Sequence, residues 1–213
     1  MGVPIPAYIN VFVLLTTTAV GLARFSRLSI ALKALTVFCI MLCAESAAEF
    51  YLAFHATNNS FVSNAGLGIE ALFLAAVYAI ALDVKSVRRM IVVLSIVFVC
   101  IWVPDKIFFE DPKAINEAMC IISGIFTIVI SVIALHTVAK RTTSSLTDEP
   151  LFWIATANIL ASTGDMFVLG VSNELLAMGV SYFTAAWYIN WSLDIISYIF
   201  YIKAFLCKAT PEK

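Results

Sequence analysis

Glu45, Glu49, Glu70, Asp165 and Asp194 are carboxylic acids set in otherwise apolar stretches of the chain. In MLCAESAAEFYLAFH, residues 41–55, Glu45 and Glu49 stand four apart with nothing basic nearby, a spacing that puts both on one face of a helix. Glu70 lies in GIEALFLAAVY, Asp165 in STGDMF and Asp194 in WSLDIISY. Ionisable groups at hydrocarbon depth are costly and mark proton, ion or substrate sites by default. Acids without a cation at the same depth have three chemical options: they carry a proton, they bind a metal, sodium or organic amine, or they line a water-filled cavity. Like charges one turn apart disfavour joint ionisation of Glu45 and Glu49, so their partners are expected across the bundle, in Glu70, Asp165 and Asp194. Each acid alone could equally be a hydrogen-bonding group that ties two helices together, but several in one layer favour a shared site.

The elements that carry these acids are predicted to be membrane helices. The 213 residues are 62% hydrophobic and 13% charged, against about 45–50% and about 25% in a soluble domain, and the mean hydropathy is +0.98. A spanning helix takes roughly 20 mostly apolar residues. Such runs predict an all-α, single-domain membrane protein of seven transmembrane helices, at 7–24, 28–54, 61–83, 88–104, 115–139, 150–171 and 178–206. The start lacks a basic leader region and reads as the first span rather than a removed signal. Pro104, Pro112 and Pro150 are expected at helix ends, with Thr147 capping the helix that Pro150 opens. The five cysteines fall in apolar runs and read as small hydrophobes.

Basic residues orient the bundle. Arg24, Arg27, Lys33, Lys85, Arg88, Arg89, Lys140, Arg141, Lys203, Lys208 and Lys213 all fall on one side of a seven-helix chain, and only Lys106 and Lys113 fall on the other, among Asp105, Glu110 and Asp111. The positive-inside rule then predicts the N-terminus outside and the C-terminus in the cytoplasm. At about 1.5 Å per residue, Glu49, Glu70, Glu117 and Asp165 fall within about 12 Å of the outer helix ends, with Glu45 near the middle and Asp194 slightly deeper. The predicted ligand set is Glu45, Glu49, Glu70, Asp165, Asn190 and Asp194. His55, Asn64, Glu117, Asn158 and Tyr188 are the supporting candidates, and Ser162, Ser197, Tyr78 and Tyr201 are further neutral hydrogen-bonding groups.

Helices 1–3 and 5–7 can be laid over each other with helix 4 as the spare. ESAAEFYLAFHATNNS then faces ASTGDMFVLGVSNE, and GIEALFLAAVY faces SLDIISYIFY, matching Glu49 to Asp165 and Glu70 to Asp194. This predicts a three-plus-one-plus-three parallel repeat of the kind some transporters use.

Several chemistries are argued against. A retinal Schiff base needs a mid-membrane lysine on the last helix, and Lys203 is too near its inner end. His55 and His136 are too few for paired haem ligation or a zinc hydrolase, while an all-carboxylate site for a hard cation stays open. No phosphate-binding glycine loop or serine elbow is present, and nothing predicts a nucleic-acid partner. Gly66 and Gly68 are expected to allow close helix packing. Asn58-Asn59-Ser60 has the form of a glycosylation acceptor.

DEPLFWIATANILASTGDMFVLGVSN with YINWSLDIISYIFYIKAFLC resembles the last two helices of small seven-helix bacterial membrane proteins of uncharacterised function, and AEFYLAFHATNNSF with GIEALFL resembles their second and third. The resemblance implies a bacterial inner-membrane protein and carries no catalytic assignment. The leading functional expectation is therefore binding or transport of a cation, a proton or a small solute through a carboxylate-lined cavity in the outer half. The alternatives are a seven-helix sensor or accessory component signalling to a membrane partner, or a lipid-modifying enzyme using an acid pair such as Glu45/Glu49 or Asp165/Asp194. The expected surroundings are the bilayer and a small ligand, with room for a homo-oligomer; no cofactor beyond a bound cation is expected.

Overall fold

A computed structural model describes residues 4–55, 57–111, 114–142 and 145–207; Pro112, Lys113, Lys208 and Lys213 lie outside the described residues. Long apolar runs without strand-like alternation fold as helices, and no strand occurs among the described residues. The helices are α1 (Ile5–Arg24), α2 (Ile30–Phe54), α3 (Ser60–Ala81), α4 (Lys85–Phe108), α5 (Glu117–Arg141), α6 (Pro150–Leu169), α7 (Ser172–Met178) and α8 (Val180–Leu206), with 3₁₀ turns at Phe25–Arg27 and Leu146–Asp148. Six of them, α1 to α6, are long and apolar enough to cross a membrane, which points to an integral membrane location. At 27 residues α8 has the length, about 40 Å, and it carries Trp187, Asn190, Trp191 and Asp194 among its apolar residues.

Local chemistry explains most helix ends. The Ser29 side chain accepts from Leu32 N at 3.4 Å to open α2, and Asn116 accepts from Met119 N at 3.0 Å to open α5. Pro150 occupies the first turn of α6, where its missing N–H costs nothing. Thr147 does not cap that helix: it sits in the 3₁₀ turn, its hydroxyl pairs with Ser145 Oγ at 2.7 Å, and its carbonyl takes Trp153 Nε1 at 2.9 Å. Pro104 is also not a terminus, since α4 runs one turn past it to Phe108. That turn is retained because Asp105 holds it from two sides, its carbonyl accepting from Phe109 and Glu110 N at 3.0 Å and its carboxylate from Asn116 Nδ2 at 2.5 Å. The span expected at 178–206 is α8, and the connector before it holds the separate short helix α7, broken from α8 at Gly179, whose φ of 132° lies in the region that side chains avoid.

The helices pack in a regular order. α1 lies against α2 and α8, α2 against α3, α3 against α5, α5 against α6, and α6 against α8, while α4 packs on α3 and α5. Only 11% of the most apolar window of α4 is buried, against 33–44% for the other five candidate spans, so α4 is peripheral. At one end, Arg24, Arg27, Asp83, Arg141, Glu149 and Cys207 line a common crevice, where the basic ends of α1 and α5 meet. The buried core between the helices is apolar, with Leu14, Leu35, Ile130, Ile154 and Phe205 almost wholly enclosed.

Candidate ligand cavity

Lys33 of α2 and Lys203 of α8 lie away from the acids on the same helices, and the fold turns the acids toward one another. A cavity of about 190 Å³ is walled by α1, α2, α3, α5, α6 and α8. Glu45 and Glu49 of α2, Glu70 of α3, Asp165 of α6, and Asn190 and Asp194 of α8 all line it. None of the described residues lining it is Lys, Arg or His. Each of the five acidic residues keeps partial surface exposure instead of being sealed in the packing, as groups on a cavity wall would. The space is large enough for several waters, or for a small solute.

The acids are positioned in two ways. Glu45 and Glu70 adjoin each other across α2 and α3, and two neighbouring carboxyl groups can bond to each other only by sharing a proton. Gly66 makes room for this approach, because a Cβ there would run into the Glu45 carboxylate. Gly68 performs the same service for the Trp102 ring of α4. The remaining acids use neutral partners. Glu49 Oε1 accepts from Ser63 Oγ at 2.5 Å. Asp194 Oδ2 accepts from Asn10 Nδ2 at 3.3 Å and Asn190 Nδ2 at 3.5 Å, and Asp165 lines the same part of the cavity. Glu45 and Glu49 do not pair with each other.

Below the acids, toward the basic end, the cavity closes on a polar knot. Tyr78 OH accepts from Asn158 Nδ2 at 2.7 Å and pairs with Ser131 Oγ at 2.9 Å, while Tyr201 OH donates to Asn158 Oδ1. Asn158 therefore joins α3, α5, α6 and α8 in a fully satisfied network, the kind that fixes relative helix positions. On the other flank Trp187 and Trp191, with ring centroids 5.7 Å apart, form an aromatic wall.

Four supporting candidates lie elsewhere. His55 is exposed at the end of α2, its Nδ1 2.7 Å from Tyr51 O and its ring 4.3 Å from that of Tyr51. Asn64 is buried but spends its side chain on the α4–α5 connection, donating to Ala114 O at 2.9 Å and accepting from Asn116 N at 3.0 Å. Glu117 Oε1 accepts from Asn173 N at 2.6 Å, which ties α5 to α7. Tyr188 is exposed, with its ring tilted at 48° and 5.9 Å from that of Trp191. Asn158 alone of the supporting set lines the cavity. Conversely Asn10, Ser63, Trp187 and Trp191 belong to the lining without having been singled out in the sequence; a lone asparagine in the apolar α1 was the available signal for the first of them.

No protein-family model, curated protein or solved structure matches this chain. Among the described residues no three His, Cys, Asp or Glu side chains are grouped closely enough to hold a metal ion. The five cysteines are free, and Cys120 takes part only by donating its thiol to Asp165 O at 3.4 Å.

Proposed function

We propose that this chain is a seven-helix membrane protein, N-terminus outside and C-terminus in the cytoplasm, that binds a small cation or a proton-coupled solute in the acidic cavity and carries it across the membrane. The observation that carries the reading is the meeting of five carboxylates from α2, α3, α6 and α8 around about 190 Å³ with no basic residue in the described lining. The side-chain partners that Glu49 and Asp194 find are neutral, Ser63, Asn10 and Asn190, and a shared cavity wall without counter-charge is suited to a ligand that brings its own positive charge.

The packing order supports a transport reading over simple binding. If α1, α2 and α3 correspond to α5, α6 and α8, then the α1–α2 contact corresponds to α5–α6, α2–α3 to α6–α8, and α1–α8 to α5–α3. Each contact thus has its counterpart, and α4 is left as the peripheral connector. The cavity lies between the two halves, where parallel repeats in transporters hold their substrates.

The test is uptake of ethylammonium, and of protons, by liposomes containing the full-length protein. Flux is expected from the wild type and its loss from Glu70→Gln and Asp194→Asn. Wild-type rates in both variants would remove the reading.

A further inference from the structure

Three arginines line the crevice at the basic end of the bundle, and they are unevenly paired. Arg141 Nη1 lies 3.6 Å from Asp83 Oδ2, on a carboxylate that is 93% exposed, where solvent weakens the contact. Arg24 and Arg27 make no ion pair among the described residues, although Glu149 also lines the crevice. Arg24 is half-buried there. A guanidinium without a carboxylate partner offers a planar fork of donors that matches a phosphate.

The chain around these two arginines adds to their field. Arg24 precedes and Arg27 closes the 3₁₀ turn that leads into α2, and Ile30 and Ala31, the first residues of that helix, line the crevice with them. Amides at those positions have no carbonyl in their own helix to bind, and the helix start adds partial positive charge. Ser29 Oγ covers the later amide, Leu32 N, at 3.4 Å. The start of α6, which borders the same crevice, carries Glu149 and Pro150 instead. An anion is therefore drawn to the α1–α2 side.

Much of the remaining wall is hydrocarbon, with Leu28, Leu151 and Ile154 among its residues. Ile30 and Ile80 line the crevice and are also 62% and 44% exposed. The apolar wall thus continues onto the outer surface of α2 and α3, helices long and apolar enough to cross a membrane. A free anion gains nothing from that continuation, whereas an acyl chain is stabilised along it. The crevice encloses about 520 Å³, within the range of small-ligand sites, about 300–1,000 Å³.

We propose that this crevice binds an anionic phospholipid, its phosphate held between Arg24, Arg27 and the start of α2 and its acyl chains laid along Ile30 and Ile80. Basic pockets between membrane helices are suited to such headgroups. The site is separate from the acidic cavity and does not depend on what that cavity carries.

The test is native mass spectrometry of the full-length protein in detergent, titrated with dioleoyl phosphatidylglycerol, dioleoyl phosphatidylcholine and glycerol phosphate. Phosphatidylglycerol is expected to bind at least about tenfold more tightly than phosphatidylcholine, as a headgroup met by two basic side chains. Arg24→Gln combined with Arg27→Gln is expected to remove that preference. Arg88→Gln with Arg89→Gln takes as much charge from exposed positions of α4 outside the crevice and is expected to keep it. Ala31→Trp fills the crevice with every charge in place and gives a second readout should the first pair not fold; it is expected to weaken phosphatidylglycerol binding severalfold. Equal affinity for the two lipids, equal loss in both arginine pairs, or wild-type binding by Ala31→Trp would overturn the proposal. Glycerol phosphate binding as tightly as phosphatidylglycerol would overturn the lipid assignment in favour of a free phosphate ester.

Discussion

Asn158 shows how much of this interior depends on single polar side chains. Its amide gives and takes hydrogen bonds with two tyrosines from different helices, and Tyr78 passes the network on to Ser131. Replacing it by leucine leaves both phenols buried and short of partners, which is expected to cost about 2 kcal/mol, readable as a lowered midpoint of unfolding in micelles. Ser63 is a milder case. Ser63→Ala removes the 2.5 Å hydrogen bond to Glu49, and interhelical hydrogen bonds in membranes average about 0.6 kcal/mol. Stability is therefore expected to change little, and ligand affinity to change more, as Glu49 loses the group that orients it.

At the scale of helices, the glycines of α3 separate packing from function. A Cβ at Gly68 meets the rigid Trp102 ring, whereas one at Gly66 meets only the far end of the flexible Glu45 side chain. Gly68→Ala is thus expected to destabilise the bundle by about 1–3 kcal/mol. Gly66→Ala is expected to unfold near the wild-type midpoint while losing ligand binding, because Glu45 must leave Glu70. Equal destabilisation by both substitutions would contradict this division. The helices themselves were legible in the apolar runs, with ends within a few residues of those predicted for α1, α2 and α3. The departures have local causes: α4 passes Pro104 because Asp105 and Asn116 secure the following turn, and α7 was hidden in a seven-residue stretch too short to show a period. The acids were legible as misplaced charges, and their partners were not. Which acid meets which depends on helix rotation, and in membrane helices that are apolar almost all round, hydrophobicity does not set rotation. Asn64 and Glu117 illustrate the consequence: similar in type and predicted depth to the cavity residues, they face connecting segments instead.

For the molecule as a whole, the proposed orientation makes a labelling prediction. In a background lacking the other cysteines, Ser60→Cys at the start of α3 is expected to react with an impermeant maleimide added outside intact cells, and Cys207 only after permeabilisation. Burial pushes the Cys207 thiol up from its ordinary value, so its thiolate becomes available only as pH rises and its labelling is expected to quicken through the alkaline range. Reaction of Cys207 from outside would reverse the proposed topology. The central claim, that acids from four helices form one cation site, is tested most directly by modifying the intact protein with a hydrophobic carbodiimide and locating the adducts by mass spectrometry with and without ethylammonium. Adducts at Glu45, Glu49, Glu70, Asp165 or Asp194 that are suppressed together by ethylammonium are the predicted result. Adducts at these residues that form equally in its presence would contradict a shared site.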